Sequence, residues 1–297
     1  MIVSVVIPSL ESSTLTDAVR AVAESAQRLP PESVEVIIVD SSRSPPELPE
    51  GIDASIRLIV IRKECGRLAA RIEGIQRARG EWILNLDSDQ VVHPGVVDSL
   101  SHQSTPAVIF SETPNHWSRW TDFVHRVRQR QEAHFRRSPS TQIPCIPRGY
   151  RRIPLLRAVR KLSGEPGAGT AKRLPTQHED SLLFIYFLRE NGFSAGEAVS
   201  FSPVPIYHSI PPLEVVARKS FAYGRDLGWA TKQVWGGSSP IDRDVWQGVS
   251  RIDWSAARVW TPKQGPNLRG LIYDGFRACF YAPGVIRGLF SSSTAPA

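Results

Sequence analysis

Four stretches of this 297-residue chain set an acidic or imidazole side chain directly beside an apolar run. Asp87-Ser88-Asp89 follows Trp82-Ile83-Leu84-Asn85-Leu86, and Asp40 follows Val34–Val39. Glu179-Asp180 opens a long apolar stretch, and His208 closes Pro203–Tyr207. Two carboxylates around one small residue, at the tip of a buried strand, make a perch for a hard cation. Mg²⁺ or Mn²⁺ takes one or two protein carboxylates and fills its other positions with water and phosphate oxygens. Asp and Ser are also turn formers, and taken alone the triplet reads more readily as a solvated turn. A carboxylate in the first turn of a helix stands at the positive end of the macrodipole. That place suits a base that takes a proton from a hydroxyl. It also simply stabilises the helix start by about 0.3–1 kcal/mol.

The elements that must carry these groups have a clear rhythm. Residues 2–7 form a β-branched run ending at Pro8, and Val34–Val39, Ile56–Ile61 and Trp82–Leu86 are similar runs. Such continuous apolar segments read as strands buried on both faces. Between them the spacing predicts a helix from a Thr14 or Thr16 cap to about Arg28, and another from Arg67 to about Ala78. Strand, helix, strand, strand, helix, strand is the pattern of a parallel α/β sheet, whose ligands bind beyond the carboxyl ends of the strands. Asp40 and Asp87 stand at two such ends. Further on we expect a helix at Val96–His102, a strand at Ala107–Phe110 and a basic amphipathic helix at Trp117–Arg136. Then come an extended piece at Gln142–Ile146, a helix at Arg157–Leu162, and a glycine-rich loop at Gly164–Thr170 suited to an active-site flap. The apolar helix from Glu179 ends at Asn191-Gly192, Pro203–His208 is extended, and Glu214–Trp235 is a long helix. The last third is rich in Trp, and Leu268–Phe290 mixes apolar and aromatic residues with Arg269, Arg277 and Arg287.

Composition sets the outer bounds. The chain is 41% hydrophobic and 22% charged, an ordinary globular balance, and long enough for one main domain with an elaborated C-terminal part. No apolar run is long enough to span a bilayer, and Met1 leads directly into a strand. Cys65, Cys145 and Cys279 lack metal-ligand spacing and read as reduced thiols of a cytoplasmic protein. The net charge of +7 favours polyanion partners. Arginine clusters at 126–137 and 148–161 come without zinc-finger spacing or RNP-type aromatics, so we expect no nucleic acid, only solvated basic faces.

Five motifs in register carry a family resemblance: Val3–Ser9, Val36–Ser42, Gly66–Ile75, Gly80–Asp89 and Glu179–Leu183. In order and spacing they resemble the family-2 glycosyltransferases. The resemblance implies an α/β enzyme of the GT-A fold, with a Rossmann-like, mostly parallel sheet flanked by helices and a helical C-terminal extension. It implies inversion, Mg²⁺ or Mn²⁺ as cofactor, and a nucleotide-sugar donor, UDP-linked first and GDP- or dTDP-linked as alternatives. By the same resemblance Pro8, Ser9 and Glu11 line the nucleotide pocket and Asp40 meets the base. Ser41 stands where a second Asp often follows. Gly66 and Arg71 lie under base and diphosphate, Asp87 and Ser88 lie near the ribose, and Asp89 holds the metal with Asp87 and His208. Asp180 is the catalytic base with Glu179 in reserve, and Lys219 and Arg225 meet the leaving diphosphate. Trp117, Trp120, Arg148 and Tyr150 fall where acceptors dock.

We therefore expect residues 1–110 to be the nucleotide-sugar-binding half and 111–225 the acceptor-binding and catalytic half of one domain. Residues 226–297 form the helical, Trp-rich extension. Two rivals share the page. A sugar nucleotidyltransferase would need a glycine-rich, basic N-terminal loop, and residues 8–16 contain no Gly, Lys or Arg. A non-catalytic membrane- or polyanion-associated module would use the basic, aromatic C-terminus for peripheral membrane contact, or that segment packs on the core or in a homodimer.

Overall fold

A computed structural model describes residues 2–51, 56–137, 139, 146–163, 179–237, 239, 241–247 and 268–290. The side chains of residues 268–278 and of His134 also lie outside the described part of the structure. The expected extended piece at 142–146 (all but Ile146), the glycine-rich loop at 164–170, Cys145 and Trp254 and Trp260 lie outside the described residues.

The first half is built from mainly apolar strands, with Ser4 and Glu35 hydrogen-bonded to each other (2.6 Å) inside them. β1 (Val3–Ser9), β2 (Val34–Asp40), β3 (Ile56–Arg62) and β4 (Trp82–Asn85) pair in parallel, with Val3 opposite both Val34 and Trp82. Every residue of β1, β2 and β4 is buried, which is why these runs carry no polar alternation. Successive β1 side chains serve opposite layers. Val3, Val5 and Ile7 pack with Leu15, Val19 and Val22 of α1 (Leu15–Ala26), while Val6 packs with Leu68, Ile72 and Ile75 of α2 (Arg67–Arg77). Gly80, just before β4, lies so close to the Ser4 backbone that any Cβ would collide with it.

The second half completes one eight-stranded sheet. β5 (Gln90–Val92) and α3 (Val96–Ser101) precede β6 (Ala107–Pro114), α4 (Arg119–Arg137) and β7 (Gly149–Arg151). α5 (Arg152–Ser163), α6 (Glu179–Asn191), α7 (Ala195–Ala198) and β8 (Val199–His208) follow. Spatial order is β3-β2-β1-β4-β7-β6-β8-β5. β7 runs antiparallel between β4 and β6, β6 and β8 are parallel, and β5 is antiparallel to β8 at the edge. The short β5 and β7 are not legible in the sequence, because three residues are too few to show a period. β6 extends four residues past the expected Phe110, so the expected boundary at residue 110 falls inside a strand.

Two helices close the described chain. α8 (Leu213–Trp235) and α9 (Leu268–Leu289) cross where Gly224 and Gly228 meet Tyr281 and Val285, and where Gly284 and Gly288 meet Phe221 and Arg225. At each of the four glycines a Cβ would land on a backbone carbonyl of the other helix. Among the described residues no helix is long and apolar enough to cross a membrane.

Candidate active site

The last bonds of the β4 run tie it to both neighbours: Asn85 N–H donates to Arg148 O (2.8 Å) and Leu86 N–H to Val6 O (3.0 Å). The chain then turns through Asp87-Ser88-Asp89, with Gln90 N–H donating to Asp87 O (3.0 Å). Asp87 N–H donates to the side-chain oxygen of the fully buried Gln90 (3.0 Å). Thr14 heads α1 without capping it through its side chain. Its hydroxyl instead donates to Ser88 O (2.8 Å), so the α1 entry holds the acidic turn.

Five carboxylates converge here from three parts of the fold: Asp87 and Asp89 after β4, Glu112 on β6, and Glu179 and Asp180 in the first turn of α6. They face four guanidinium groups, Arg67 and Arg71 on α2, Arg128 on α4 and Arg148 before β7. Arg148 is the hub. Its backbone is pinned between two strands, with N–H donating to Val108 O (3.0 Å) and O accepting from Asn85 N–H. Its side chain therefore emerges at the centre of the cluster, 11% exposed. There it donates to Asp180 (2.8 Å), Glu112 (3.1 Å) and Asp87 (3.3 Å). Arg71, completely buried, pairs with Asp87 and reaches Asp180 (3.3 Å), and Arg67 donates to Glu179 (3.2 Å). On the β8 side His208 Nε2 stands 3.6 Å from Asp89, and its Nδ1 accepts from Arg128 (3.1 Å). Arg128 also donates to Glu112 (2.8 Å). The β5–β8 pairing sets Gln90 opposite His208, which is what brings the histidine to the acidic turn.

These contacts move the carboxyl groups in both directions. Burial alone would raise the pKa of Asp87, but Arg148, Arg71 and Arg67 hold it well below the carboxylate range. Burial likewise works against Asp89, and its contact with the His208 side chain carries it down. Glu112 is also resisted by burial, and Arg128 and Arg148 still hold it down at about 2. Glu179 goes up, chiefly through burial, with Arg67 opposing and the Asp180 charge adding to the rise. Lys219 on α8 adds positive potential at Asp89.

Several expected site residues are placed differently. Asp40 is completely buried: Arg62 takes one carboxylate oxygen (2.5 Å) and the Ser42 hydroxyl the other (2.6 Å), so it orients the β2 loop and offers no face to a base. Tyr150 is a core residue, edge-on to Phe187 at 5.1 Å, because its strand lies between β4 and β6. Arg148, expected beside an acceptor, lies inside the cluster against three carboxylates. Trp120 donates its indole N–H to Pro211 O (2.8 Å), which ties α4 to the segment after β8. Trp117 does project, 55% exposed. Arg225 lies at the α8–α9 crossing, its carbonyl against Gly288, while Lys219 is exposed. Ser9 is buried at the end of β1 with its hydroxyl unpartnered, next to Pro8. Glu11 accepts from Arg43 N–H (2.8 Å) at the rim, in a left-handed backbone conformation (φ 46°). Gly66 precedes the first turn of α2 in extended conformation.

The expected metal set of Asp87, Asp89 and His208 is corrected in one respect. Both Asp87 oxygens face arginines, and among the described residues no three His, Cys, Asp or Glu side chains form a group that could hold a metal. Asp89, 36% exposed, still fits a cation that draws its other ligands from phosphate and water. Sequence reading missed Glu112, Arg128 and Gln90. A Glu in a strand followed by a basic helix was the available signal, and it looks like any solvated face.

A protein-family model described as glycosyl transferase family 2 matches residues 4–152, half of the chain. The chain belongs to glycosyl transferase family 2. The match takes in β1 to β7, and so the Asp87–Asp89 turn, Arg71, Glu112, Arg128 and Arg148, while Asp180 and His208 lie beyond it. A 79-residue stretch is 44% identical to the succinoglycan biosynthesis protein ExoO of Rhizobium meliloti (strain 1021). That stretch is 26% of this chain and 22% of ExoO, so the likeness covers a small part of either protein. Among solved structures, the mannosyltransferase PcManGT from Pyrobaculum calidifontis, in complex with GDP-Man and Mn²⁺, aligns over 97% of this chain and 87% of its own. At 14% identity and a TM-score of 0.51 it shows the fold, the GT-A arrangement, shared with this family-2 member. S. aureus TarS aligns over 94% of this chain and 55% of its own, with TM-score 0.47 and 14% identity.

Proposed function

We propose that this family-2 chain transfers a sugar from a nucleoside-diphosphate donor to an acceptor hydroxyl with inversion, with Asp180 as general base. The observation that carries the reading is the contact of one guanidinium, Arg148, with both Asp87 (3.3 Å) and Asp180 (2.8 Å), carboxylates 93 positions apart in the chain. That shared contact supports a donor-side turn and a base on one rim, and inversion would require the base to face the side of the anomeric carbon opposite the leaving diphosphate. Family membership favours this over the nucleotidyltransferase rival and over a non-catalytic module.

Asp89 would hold the Mg²⁺ or Mn²⁺ that comes with the donor diphosphate. Such an ion supplies charge stabilisation for the leaving phosphates. The GDP-Man and Mn²⁺ held by PcManGT support a donor and ion of this class. Pro8, Ser9, Glu11 and Gly66 would form the nucleotide-side wall, with Asp87 and Ser88 near the ribose. Arg71 would act through Asp87 and Asp180, which it pairs, and Lys219 would meet the departing phosphate with its exposed ammonium. Trp117 would offer an aromatic face to the acceptor. The test is Asp180→Asn assayed against a panel of UDP-, GDP- and dTDP-sugars. Transfer should fall by at least a thousandfold while donor binding, read by thermal shift with Mn²⁺, persists. Full turnover by that variant would remove Asp180 from the chemistry.

A second reading concerns where the chain works. The outward side of α9 presents Cys279, Ala282, Pro283, Ile286, Leu289 and Phe290, with Arg287 beside them. An exposed apolar helix side on a chain of charge +7 fits an anionic lipid surface. Flotation with anionic liposomes at low salt should carry the protein, and Ile286→Glu with Phe290→Glu should release it. Flotation unchanged in that double variant would rule the surface out.

A further inference from the structure

His208 lies between two charged groups, and one of them dictates where its proton sits. Arg128 Nη1 carries two hydrogens: one goes to Glu112 Oε2 (2.8 Å) and the other to His208 Nδ1 (3.1 Å). A guanidinium donates and never accepts. Nδ1 must therefore be the accepting nitrogen of the ring, which leaves the proton of a neutral imidazole on Nε2. Nε2 is the nitrogen that faces Asp89 Oδ2 at 3.6 Å. A metal-ligating imidazole needs the reverse arrangement, a bare nitrogen toward the ion and its N–H donated to a carboxylate or carbonyl behind it. Behind His208 stands a cation. Glu112 cannot take that N–H directly: it is 3.7 Å from Nδ1, with Arg128 already holding its Oε2 and Arg148 and Gln90 its Oε1.

We propose that Arg128, held in place by Glu112, is a positioning residue that fixes His208 as an N–H donor toward Asp89 and the donor phosphates, so that His208 is not a metal ligand. Asp89 is then the single protein ligand for the divalent ion among the described residues, and the affinity for that ion comes largely from the bound diphosphate. This rests on the proposed nucleotide-sugar reading for its ligand, but the tautomer does not. β8 supplies the aim: pairing with Gln90 fixes the His208 backbone, and Arg128 fixes the ring about it.

Two measurements test it. In ¹⁵N-imidazole NMR at pH 8, with the His208 signals assigned by their loss in His208→Gln, the wild type should show the Nε2–H tautomer. Arg128→Met should shift His208 toward a mixture of both tautomers. In the second, Mn²⁺ binding in the presence of UDP or GDP is read by electron paramagnetic resonance of free Mn²⁺. Binding should stay within about threefold of wild type in His208→Gln and weaken by at least about tenfold in Asp89→Asn. An Nδ1–H tautomer in the wild type, or a tenfold loss of Mn²⁺ in His208→Gln, would overturn the inference. If the wild type bound no Mn²⁺ with any nucleotide, the metal would leave the proposed function, and the tautomer alone would decide this inference.

Discussion

Arg148 makes three charge-assisted contacts from a buried position, and Arg20 makes one from the surface; the contrast sets what each is worth. Arg20 and Asp17 are an exposed i,i+3 pair on α1, 55% and 63% exposed. Such pairs contribute roughly 0–1 kcal/mol, because water already solvates both charges. Removing Arg148 leaves Asp180, Asp87 and Glu112 facing one another in a site with little water. Breaking a buried pair costs roughly 3–5 kcal/mol where the remaining charge has no other partner. Here Arg71 still pairs Asp87 and Asp180 and Arg128 still pairs Glu112, which puts the cost at the lower end of that range. We expect Arg148→Met to lose stability on that scale in urea unfolding and Arg20→Met to lose less than about 0.5 kcal/mol. Equal small effects would mean the cluster is solvated. Arg148→Lys should fold better than Arg148→Met but lose transfer at least about tenfold, because one ammonium cannot serve three carboxylates as a planar fork does. This arginine also shows where sequence reading stops. It sits in a basic stretch that looks like a solvated face, and only the pinning of its backbone between β4 and β6 turns it inward. Asp87 and Asp180 were legible, since each interrupts or opens an apolar run. Glu112 and Arg128 were not, because nothing in their neighbours' sequence marks a charge as buried.

The elements were legible in proportion to their burial and length. β1, β2 and β4 declare themselves because a strand covered on both faces is apolar at most positions, and their few buried polar residues do not set up an alternation. β5 and β7 are fixed by their partners, His208 across from Gln90 and Tyr150 across from Ile83. Of the two expected caps, Thr14 and Thr16, it is Thr14 that stands at the α1 entry, but its hydroxyl serves the Ser88 carbonyl, a partner 74 residues away that no local rule names. The α8–α9 crossing did leave a trace in the sequence: Gly224 and Gly228, then Gly284 and Gly288, each pair spaced by four and so on one helix side. Two opposing effects decide what alanine does there. Gly→Ala inside a helix gains about 1 kcal/mol in propensity. Overpacking costs typically 1–3 kcal/mol, and here the added Cβ meets a rigid backbone carbonyl instead of a flexible side chain. The clash should win. We expect Gly228→Ala and Gly288→Ala each to lower the melting temperature, while Gly237→Ala, whose penalty is a left-handed backbone (φ 73°) with open space around it, leaves the crossing intact. Stabilisation by Gly288→Ala would mean that the helices stand further apart.

At the scale of the molecule, the charge cluster lies where the two halves of the sheet meet, at the neighbouring strands β4, β7 and β6. Arg148 precedes β7, Asp87 follows β4, Glu112 is on β6, and α2 and α6 bring Arg71 and Asp180 from the layer that covers them. Losing the cluster should therefore lower one cooperative transition and not split it into two. Acid reaches the cluster first through its carboxylates. Glu112 takes its proton at about 2 when folded and near its ordinary 4.5 when unfolded, and Asp87 and Asp89 are shifted in the same direction. Between those limits the unfolded chain binds more protons, so stability falls as pH falls. Glu179 acts oppositely: its folded pKa is raised, so it protonates first in the folded state and stabilises as pH falls toward its ordinary value. Three groups shifted down outweigh one shifted up, and the net slope should be loss of stability with acid below about pH 4.5. Glu112→Gln isolates one of the three. It should lower stability at pH 7, because Arg128 and Arg148 lose a charged partner. Between pH 4.5 and 2 it should also reduce the acid slope by about one proton in urea midpoints measured across the range. A Glu112→Gln slope parallel to wild type would mean that the arginines do not hold Glu112 ionised, and the account of how Arg128 is anchored would fail with it.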